Sequence, residues 1–487
     1  MLTALGIDVG TTNTKVVLVD VLTPSVLAVA SAPTPAPSDM AGVLAGLVGR
    51  VLRAPGEGPA PVAVGIASMA ETGVPLTADD RPRGDWLRWD GHRAGAEAAA
   101  LAARIGREEL FAATGVRASA KIPLATWEWL RTHEPDALHA GAGRWAGAAD
   151  LVGLLLTGRL ATDHTLAGRT GAYRLGRPGA LPAAFDPDLL AEVGLVLSRV
   201  PDVLAPGELL GTVVDGPFPA AGLPAGTPVT IAGHDHPVGT WAAGVREPGQ
   251  SADSVGTAEA VCSVLVADPE PGPVAAAGMS LVRTVTGAHP ALLAGSSSAG
   301  GAVAWWLTAH APDADVDALM AEVEALGDAP LDPFVLPYVH GRQTPAPDAA
   351  ATFRRVGEAA ERPPRDEAFA LLAGLSLQAR WMLDEQGRLA GTAAATSLTV
   401  LGGPMAANPA WRRLKARVTP VPVRLVAEAE PVAAGAALLA AQRVGAVDEA
   451  PALPSVDVPG PSGPEGRDVA AALARFVEAA TAGVHAS

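Results

Sequence analysis

Carboxylates that end apolar runs beside glycines and hydroxyls are the residues of this chain best suited to phosphate chemistry. The segment Gly6-Ile7-Asp8-Val9-Gly10-Thr11-Thr12-Asn13-Thr14-Lys15 places an acid just before a Gly/Thr/Asn cluster. Glycine lets backbone N–H groups approach phosphate oxygens with no Cβ in the way, and threonine hydroxyls add donors. A carboxylate beside them suits hydrated Mg2+, which keeps most of its waters and binds through one or two acids. An ordinary hairpin turn would use the same residue types. A second acid, Asp235, follows a short apolar run in Gly233-His234-Asp235-His236. Phosphoryl transfer to an alcohol needs in-line positioning and a proton acceptor near the attacking oxygen, and one carboxylate at a strand end supplies the acceptor. The competing role for Asp235 is a helix N-cap before Pro237. His234 and His236 would point to one face of an extended segment. Two imidazoles are too few for a transition-metal site and no third His or Cys lies nearby, so a contact to substrate or support of its neighbours is expected of them.

These residues need elements to hold them. Apolar and β-branched residues at 5–9 and 15–20 flank the first cluster and predict a β-hairpin. Residues 31–39, with three prolines, read as a loop, 40–54 as a helix and 62–66 as a short strand. Helical spacing recurs over 94–110 and 124–131. A strand at 229–232 empties into the Asp235 segment, and a helix over 237–245 follows. A second strand-turn-strand covers 253–255 and 259–266, and its Val255-Gly256-Thr257 repeats Val9-Gly10-Thr11. Two such echoes predict a duplicated architecture with one phosphate-contacting hairpin per half. Further on, a long helix is expected over 368–389, a strand over 397–401 running into Gly402-Gly403, and an Ala-rich helix over 431–443.

The chain has 487 residues, 49% of them hydrophobic, which predicts two α/β domains. The boundary is expected in a hinge at 243–252, giving domains 1–245 and 246–487. A net charge of -16 argues against nucleic-acid binding, which needs a basic face. Cys262 is the only cysteine, so no intrachain disulfide forms and a reducing compartment is expected. The start of the chain has no basic region before its apolar run, and no stretch reaches the roughly 18 apolar residues of a membrane span. A cytoplasmic protein without membrane or nucleic-acid partners, in homodimeric form, is the expectation. Lys15, Lys121 and Lys415 are the only lysines.

Taken together, the first hairpin, Gly233-His234-Asp235, the Gly256-Thr257 turn and Gly402-Gly403 resemble the FGGY carbohydrate kinases, the family of glycerol kinase and xylulokinase. Their order and spacing extend the resemblance over nearly the whole chain, as do Glu71-Thr72, Trp89-Asp90-Gly91-His92-Arg93 and Gly435-Ala436-Ala437. The resemblance implies two ribonuclease H-like domains of the actin and hexokinase type around a central cleft, sugar mainly on the first and nucleotide mainly on the second. It implies ATP-dependent phosphorylation of a sugar or polyol hydroxyl, with Asp235 as base and Asp8 organising Mg2+. Thr11, Thr12, Asn13, Lys15, Gly256, Thr257, Gly402 and Gly403 would contact ATP. Glu71, Trp89, Asp90, His92, Arg93, His234 and His236 would contact the sugar. Ala70 stands where the glycerol kinase pattern has arginine, and Asp90 lies one position before the acid of the usual Trp-x-Asp-x-Arg, which argues against glycerol itself. A kinase of a non-sugar alcohol, or a nucleotide-dependent binding protein that has lost phosphotransfer, would keep the same fold; only the latter has no need of Asp235.

Overall fold

The computed structural model describes residues 1–54, 59–140, 143–357, 362–391, 395–460 and 466–482. The first apolar runs form strands β1 (Thr3–Val9), β2 (Asn13–Asp20) and β3 (Ser25–Pro33), followed by helix α1 (Met40–Arg53) and strand β4 (Val64–Ser68). Helix α2 (Ala148–Thr157), strands β5 (Gly211–Thr212) and β6 (Pro228–His234) and helix α3 (Asp235–Ala242) come next. The later part contributes β7 (Gln250–Val255), β8 (Glu259–Val264), β9 (Pro290–Ser296), α4 (Gly300–His310) and α5 (Pro364–Ala390). It closes with β10 (Ser397–Leu401), α6 (Gly403–Ala407), α7 (Pro409–Val418), β11 (Val423–Val426), α8 (Pro431–Arg443) and β12 (Ser455–Val458). Two local expectations are corrected. The loop expected from residue 31 starts only after Pro33, because residues 25–33 find a full antiparallel partner in β2. The single helix expected over 94–110 is two, Gly95–Ile105 and Arg107–Thr114, separated by Gly106 at φ +96°.

The chain forms two α/β units, as expected of paired ribonuclease H-like domains. The first comprises Met1–Gly244, Leu281–Pro290 and Glu430–Leu453, and the second Val245–Ser280, Ala291–Ala429 and Pro454–Ser487. Their first boundary lies inside the expected hinge, but a single cut after residue 245 does not describe them, since 281–290 and 430–453 return to the first unit. Its sheet runs β3-β2-β1-β4-β6-β5. β1 and β6 are parallel to β4, while β2, β3 and β5 are antiparallel to their neighbours. Six strands of the second unit's sheet run β9-β8-β7-β10-β11-β12 with the same alternation of sense. Each unit therefore has an antiparallel hairpin whose first strand is the start of a parallel core, which is the duplication that the repeated Val-Gly-Thr predicted.

Helices cover both faces of the first sheet, which is why β1, β4 and β6 read as nearly unbroken apolar runs. Leu5, Ile7, Val9, Val64 and Ile66 pack in one core with Leu44, Leu47 and Val48 of α1 and Leu151 and Val152 of α2. On the opposite face Gly6 and Gly65 are register neighbours under α8. A Cβ on either would meet the carbonyl oxygen of Ala433 or Ala436, at 1.8 and 1.9 Å. Helix α8 thus lies directly on the sheet backbone, which small residues on both sides permit. This contact delivers the two ends of α8 to the site: Glu430 before its first turn and Arg443 in its last.

Candidate active site

Strand β6 aims Asp235 by means of a bulge. Ile231 pairs with Ile66 but Gly233 with Ala67, so Ala232 is an extra residue, and such an insertion bends the strand and redirects the residues after it. Arg443, nearly buried, holds the bulge: its Nη1 donates to Thr230 Oγ1 at 2.8 Å and to the Ile231 carbonyl at 2.6 Å, and its Nη2 lies 3.8 Å from Asp163 Oδ2. Asp163 in turn accepts from Thr165 Oγ1 at 2.6 Å, and the same hydroxyl accepts from the His234 amide at 2.8 Å. Gly233 sits at φ +133°, where a Cβ would come 2.4 Å from that hydroxyl, so only glycine fits this point of the frame.

Asp235 is the first residue of α3, and His234 holds the N-cap position. The carboxylate keeps part of the capping role by accepting the His236 amide at 2.7 Å. His234 Nε2 lies 3.0 Å from the same Oδ1, and His236 Nε2 lies 4.0 Å from it. Burial opposes ionisation of Asp235, but the imidazoles of His236 and then His234, with the two donated hydrogen bonds, hold its carboxyl below the usual range. His236 is itself pulled below its ordinary value by burial, against the attraction of Asp235. The carboxylate thus has two imidazoles and the His236 amide around it. The ligating atoms of His234, Asp235 and His236 all lie within 4.8 Å of one another. A proton between His234 Nε2 and Asp235 explains that closeness, and His234, almost fully buried, supports Asp235 and does not line an open pocket.

Asp8 faces the same place. Its Oδ1 is buried with no hydrogen-bond partner, and burial first, then the charge of Asp235, pushes its carboxyl from 3.8 up to about 7. That is the condition of an acid held ready for a cation. Lys15, opposite Asp8 in the β1–β2 ladder, turns to Glu430, with Nζ 2.5 Å from its carboxylate. The lysine is thus tied to the start of α8. In the turn between the strands, the Gly10 amide donates to the Asn13 carbonyl at 3.0 Å, leaving Thr11 and Thr12 at the tip. Thr11 Oγ1 accepts from the indole of Trp89 at 2.9 Å.

Glu71 is held at φ +66°, unusual for a residue with a side chain, and its Oε1 accepts from Arg169 Nη2 at 2.6 Å. Lys121 Nζ lies 4.9 Å over the Trp89 ring. Of the other sugar candidates, Asp90 pairs at 2.9 Å with Arg88, whose Nη1 donates to the Thr11 carbonyl at 3.3 Å, while His92 is exposed and Arg93 stacks over Trp129 at 5.6 Å. Among the described residues none of these three bonds to Thr11, Glu71 or Asp235. Arg443, Thr165, Arg169 and Lys121 escaped the sequence reading. Lys121 had a signal in being one of only three lysines.

In the second unit, three segments meet with almost no side chain between them. The amides of Gly300 and Gly301, at the start of α4, donate to the carbonyls of Gly256 and Thr257 at 3.0 and 2.9 Å. Gly402, at φ +109°, lies against the end of β7, where a Cβ would be 2.1 Å from the Val255 carbonyl; nothing lies within 4 Å of a Cβ at Gly403. Beneath them Lys415, fully buried, bridges Asp253 and Glu259 at 2.6 and 2.5 Å. A floor of exposed backbone in place of side chains suits a large anionic or planar ligand. The Gly300-Gly301 pair was also missed; its place in the run Ser296-Ser297-Ser298-Ala299-Gly300-Gly301 was the available signal.

Comparison with known proteins gives this geometry relatives. Residues 57–241 match the model of the N-terminal domain of the FGGY family of carbohydrate kinases, and residues 254–443 match that of the C-terminal domain. A xylulose kinase of Streptomyces coelicolor is 31% identical over 282 residues, 54% of this chain and 55% of the relative. The alignment thus spans about half of that relative. A glycerol kinase of Alkalilimnicola ehrlichii is 29% identical over 358 residues, 70% of this chain and 68% of the relative. The structure of a ligand-bound xylulose kinase from Lactobacillus acidophilus superimposes with a TM-score of 0.88 at 19% identity, covering 100% of this chain and 99% of that one.

Proposed function

This chain belongs to the FGGY family of carbohydrate kinases, and from that premise we propose that it transfers the γ-phosphate of ATP to a hydroxyl of a small sugar or polyol. The observation that carries the reading is Asp235: a bulged strand, Arg443 and two histidines hold one ionised carboxylate beside the orphaned oxygen of Asp8. In this reading the substrate hydroxyl donates to Asp235, which aligns an oxygen lone pair with the phosphorus. An acid kept this strongly ionised is a weak base. That suffices, because the transition state of phosphoryl transfer is loose and the proton leaves late. Asp235 therefore orients the attacking oxygen first and takes the proton second.

Thr11, Thr12 and the amides of their turn would cradle the transferred phosphate. In the second unit, the turn at Gly256-Thr257 and the backbone at Gly402-Gly403 would offer a nucleotide their exposed backbone. Asp8, with its unpartnered Oδ1, fits hydrated Mg2+, which when bound supplies neutralisation of phosphate charge. Glu71, oriented by Arg169, would accept a substrate hydroxyl. The relatives named for xylulose and glycerol support an acceptor with several hydroxyls.

The test is Asp235→Asn. Asparagine keeps the size and can still accept the His236 amide. With the best acceptor from a coupled ADP-release screen, kcat should fall at least about 10²-fold, while the nucleotide Kd and the Tm stay near wild type. Turnover within a few-fold of wild type would sink the assignment.

A further inference from the structure

The Gly256-Thr257 turn of the second unit has little of its own to hold it. Gly256, Thr257 and Ala258 are exposed, and the turn rests on the Gly256 amide donating to the Ala258 carbonyl at 2.8 Å and on the two amides of α4. Its arms, by contrast, are tied together in the core. Asp253 stands on β7 just before the turn and Glu259 opens β8 just after it, and Lys415 Nζ of α7 bonds to both, each of the three side chains at most 1% exposed. The same helix is tied to the other stretch of bare backbone. Arg412 Nη1 donates to the carbonyls of Met405 and Ala406 at 2.7 Å, near the end of α6, whose first residue is Gly403. Through α7, one lysine therefore links the turn to Gly402-Gly403. Stability alone does not account for it, because replacing a buried ion cluster by well-packed neutral side chains often costs nothing; fixing register is the best-attested use of such a cluster.

The charges are also arranged with care. Two carboxylates share one ammonium, and Asp253 Oδ1 and Glu259 Oε2 have no donor among the described residues. A proton between them completes the set. Burial first raises the Glu259 carboxyl, and Asp253 adds to this against the attraction of Lys415, taking it from 4.5 to about 8. Burial opposes the charge of Lys415, but the two acids raise it to about 12. These three are the charged groups that act on one another here.

Resting on the kinase reading above, we propose that Lys415 is a positioning residue of the nucleotide site, holding both arms of the Gly256-Thr257 turn in register with Gly402-Gly403 through Asp253 and Glu259. It touches no nucleotide itself. With its proton the cluster is neutral beneath a turn of exposed backbone, and phosphate oxygens meet no opposing charge. Without it the cluster carries one negative charge there. The proton is held below pH of about 8 and is lost as pH rises past that value, so nucleotide affinity falls over that window.

The experiment measures ADP binding to the full chain by calorimetry, together with the KM of ATP, the KM of the best acceptor and the Tm. Replacing three side chains at once, Lys415→Met with Asp253→Asn and Glu259→Gln, removes the ions without leaving a buried charge. The Tm should stay near wild type. The Kd of ADP and the KM of ATP should rise about tenfold or more, the cost of one misaligned charged hydrogen bond, while the KM of the acceptor moves less than about threefold. Glu259→Gln alone keeps an acceptor for Lys415 and a donor for Asp253, as the protonated acid does. Between about pH 7 and pH 9 the Kd of ADP should rise for wild type and stay nearly flat for Glu259→Gln, the other titrating groups being common to both. A folded triple variant that binds ADP like wild type overturns the assignment. So does one whose Tm, acceptor KM and ADP binding all deteriorate together, since the cluster is then packing alone. If the triple variant does not fold, the pH profiles decide, and equal profiles for wild type and Glu259→Gln overturn the assignment. A wild type that phosphorylates an acceptor yet meets one of these outcomes leaves the kinase reading standing; a wild type that binds no ADP overturns both.

Discussion

Replacing Asp8 by asparagine should make the protein more stable in the absence of divalent cations and remove its response to them. Between its ordinary value of 3.8 and the value of about 7 that burial and Asp235 impose, the folded protein holds a proton on Asp8 that the unfolded chain releases. The stabilising effect of that proton is fully present below pH 3.8 and is lost as pH rises to about 7. The span corresponds to at most about 4 kcal/mol. Asparagine has the shape of the protonated acid and no charge to lose. At pH 8 with EDTA, Asp8→Asn should therefore unfold at higher urea than wild type, by an amount approaching that figure. Near pH 4 the two should coincide. Magnesium should shift the wild-type midpoint upward at pH 8 and leave the variant unmoved. The assay is tryptophan fluorescence across urea at the two pH values, with and without Mg2+, reading the transition of the first unit. A variant that is less stable than wild type at pH 8 in EDTA, or a difference independent of pH, would refute the reasoning, since Asp8 would then be a favourably paired carboxylate.

Two further expectations concern the frame around the sites. Gly402→Ala should weaken nucleotide binding and lower the Tm, because its Cβ would press on the Val255 carbonyl at a φ of +109°, whereas Gly403→Ala, with open space around its Cβ, should leave the Tm near wild type; calorimetry with nucleotide and a melting curve for each variant decide it. Arg443→Met should reduce kcat while the KM of ATP stays near wild type, and should cost about 3 kcal/mol, because it strips a buried charge and carbonyls of their partner; normal turnover by the folded variant would show that the bulge does not need it.

Much of the fold and part of the candidate site were legible along the chain. The two Val-Gly-Thr hairpins, the strand running into Gly402 and the Ala-rich helix were readable because their causes are local: β-branched runs, turn glycines and helical spacing act over a few residues. Asp235 was readable for the same reason, as an acid at the end of an apolar run. The sequence also carried the duplication, since a repeat is a property of order. Only the tertiary structure decided which charges meet. Lys15 reads as a phosphate ligand beside Gly10, yet it is neutralised by Glu430, 415 residues away, because α8 lies on glycines of β1 and β4. Arg443 reads only as the last residue of the Ala-rich helix and proves to be the clamp on the β6 bulge. His92 and Arg93, next to Trp89 in the chain, turn outward, while Lys121 and Arg169 come to the Trp89 and Glu71 side from distant segments. Periodicity reports which face of an element is buried. The residues that stand opposite that face depend on contacts that close loops of tens to hundreds of residues, and no local pattern encodes them.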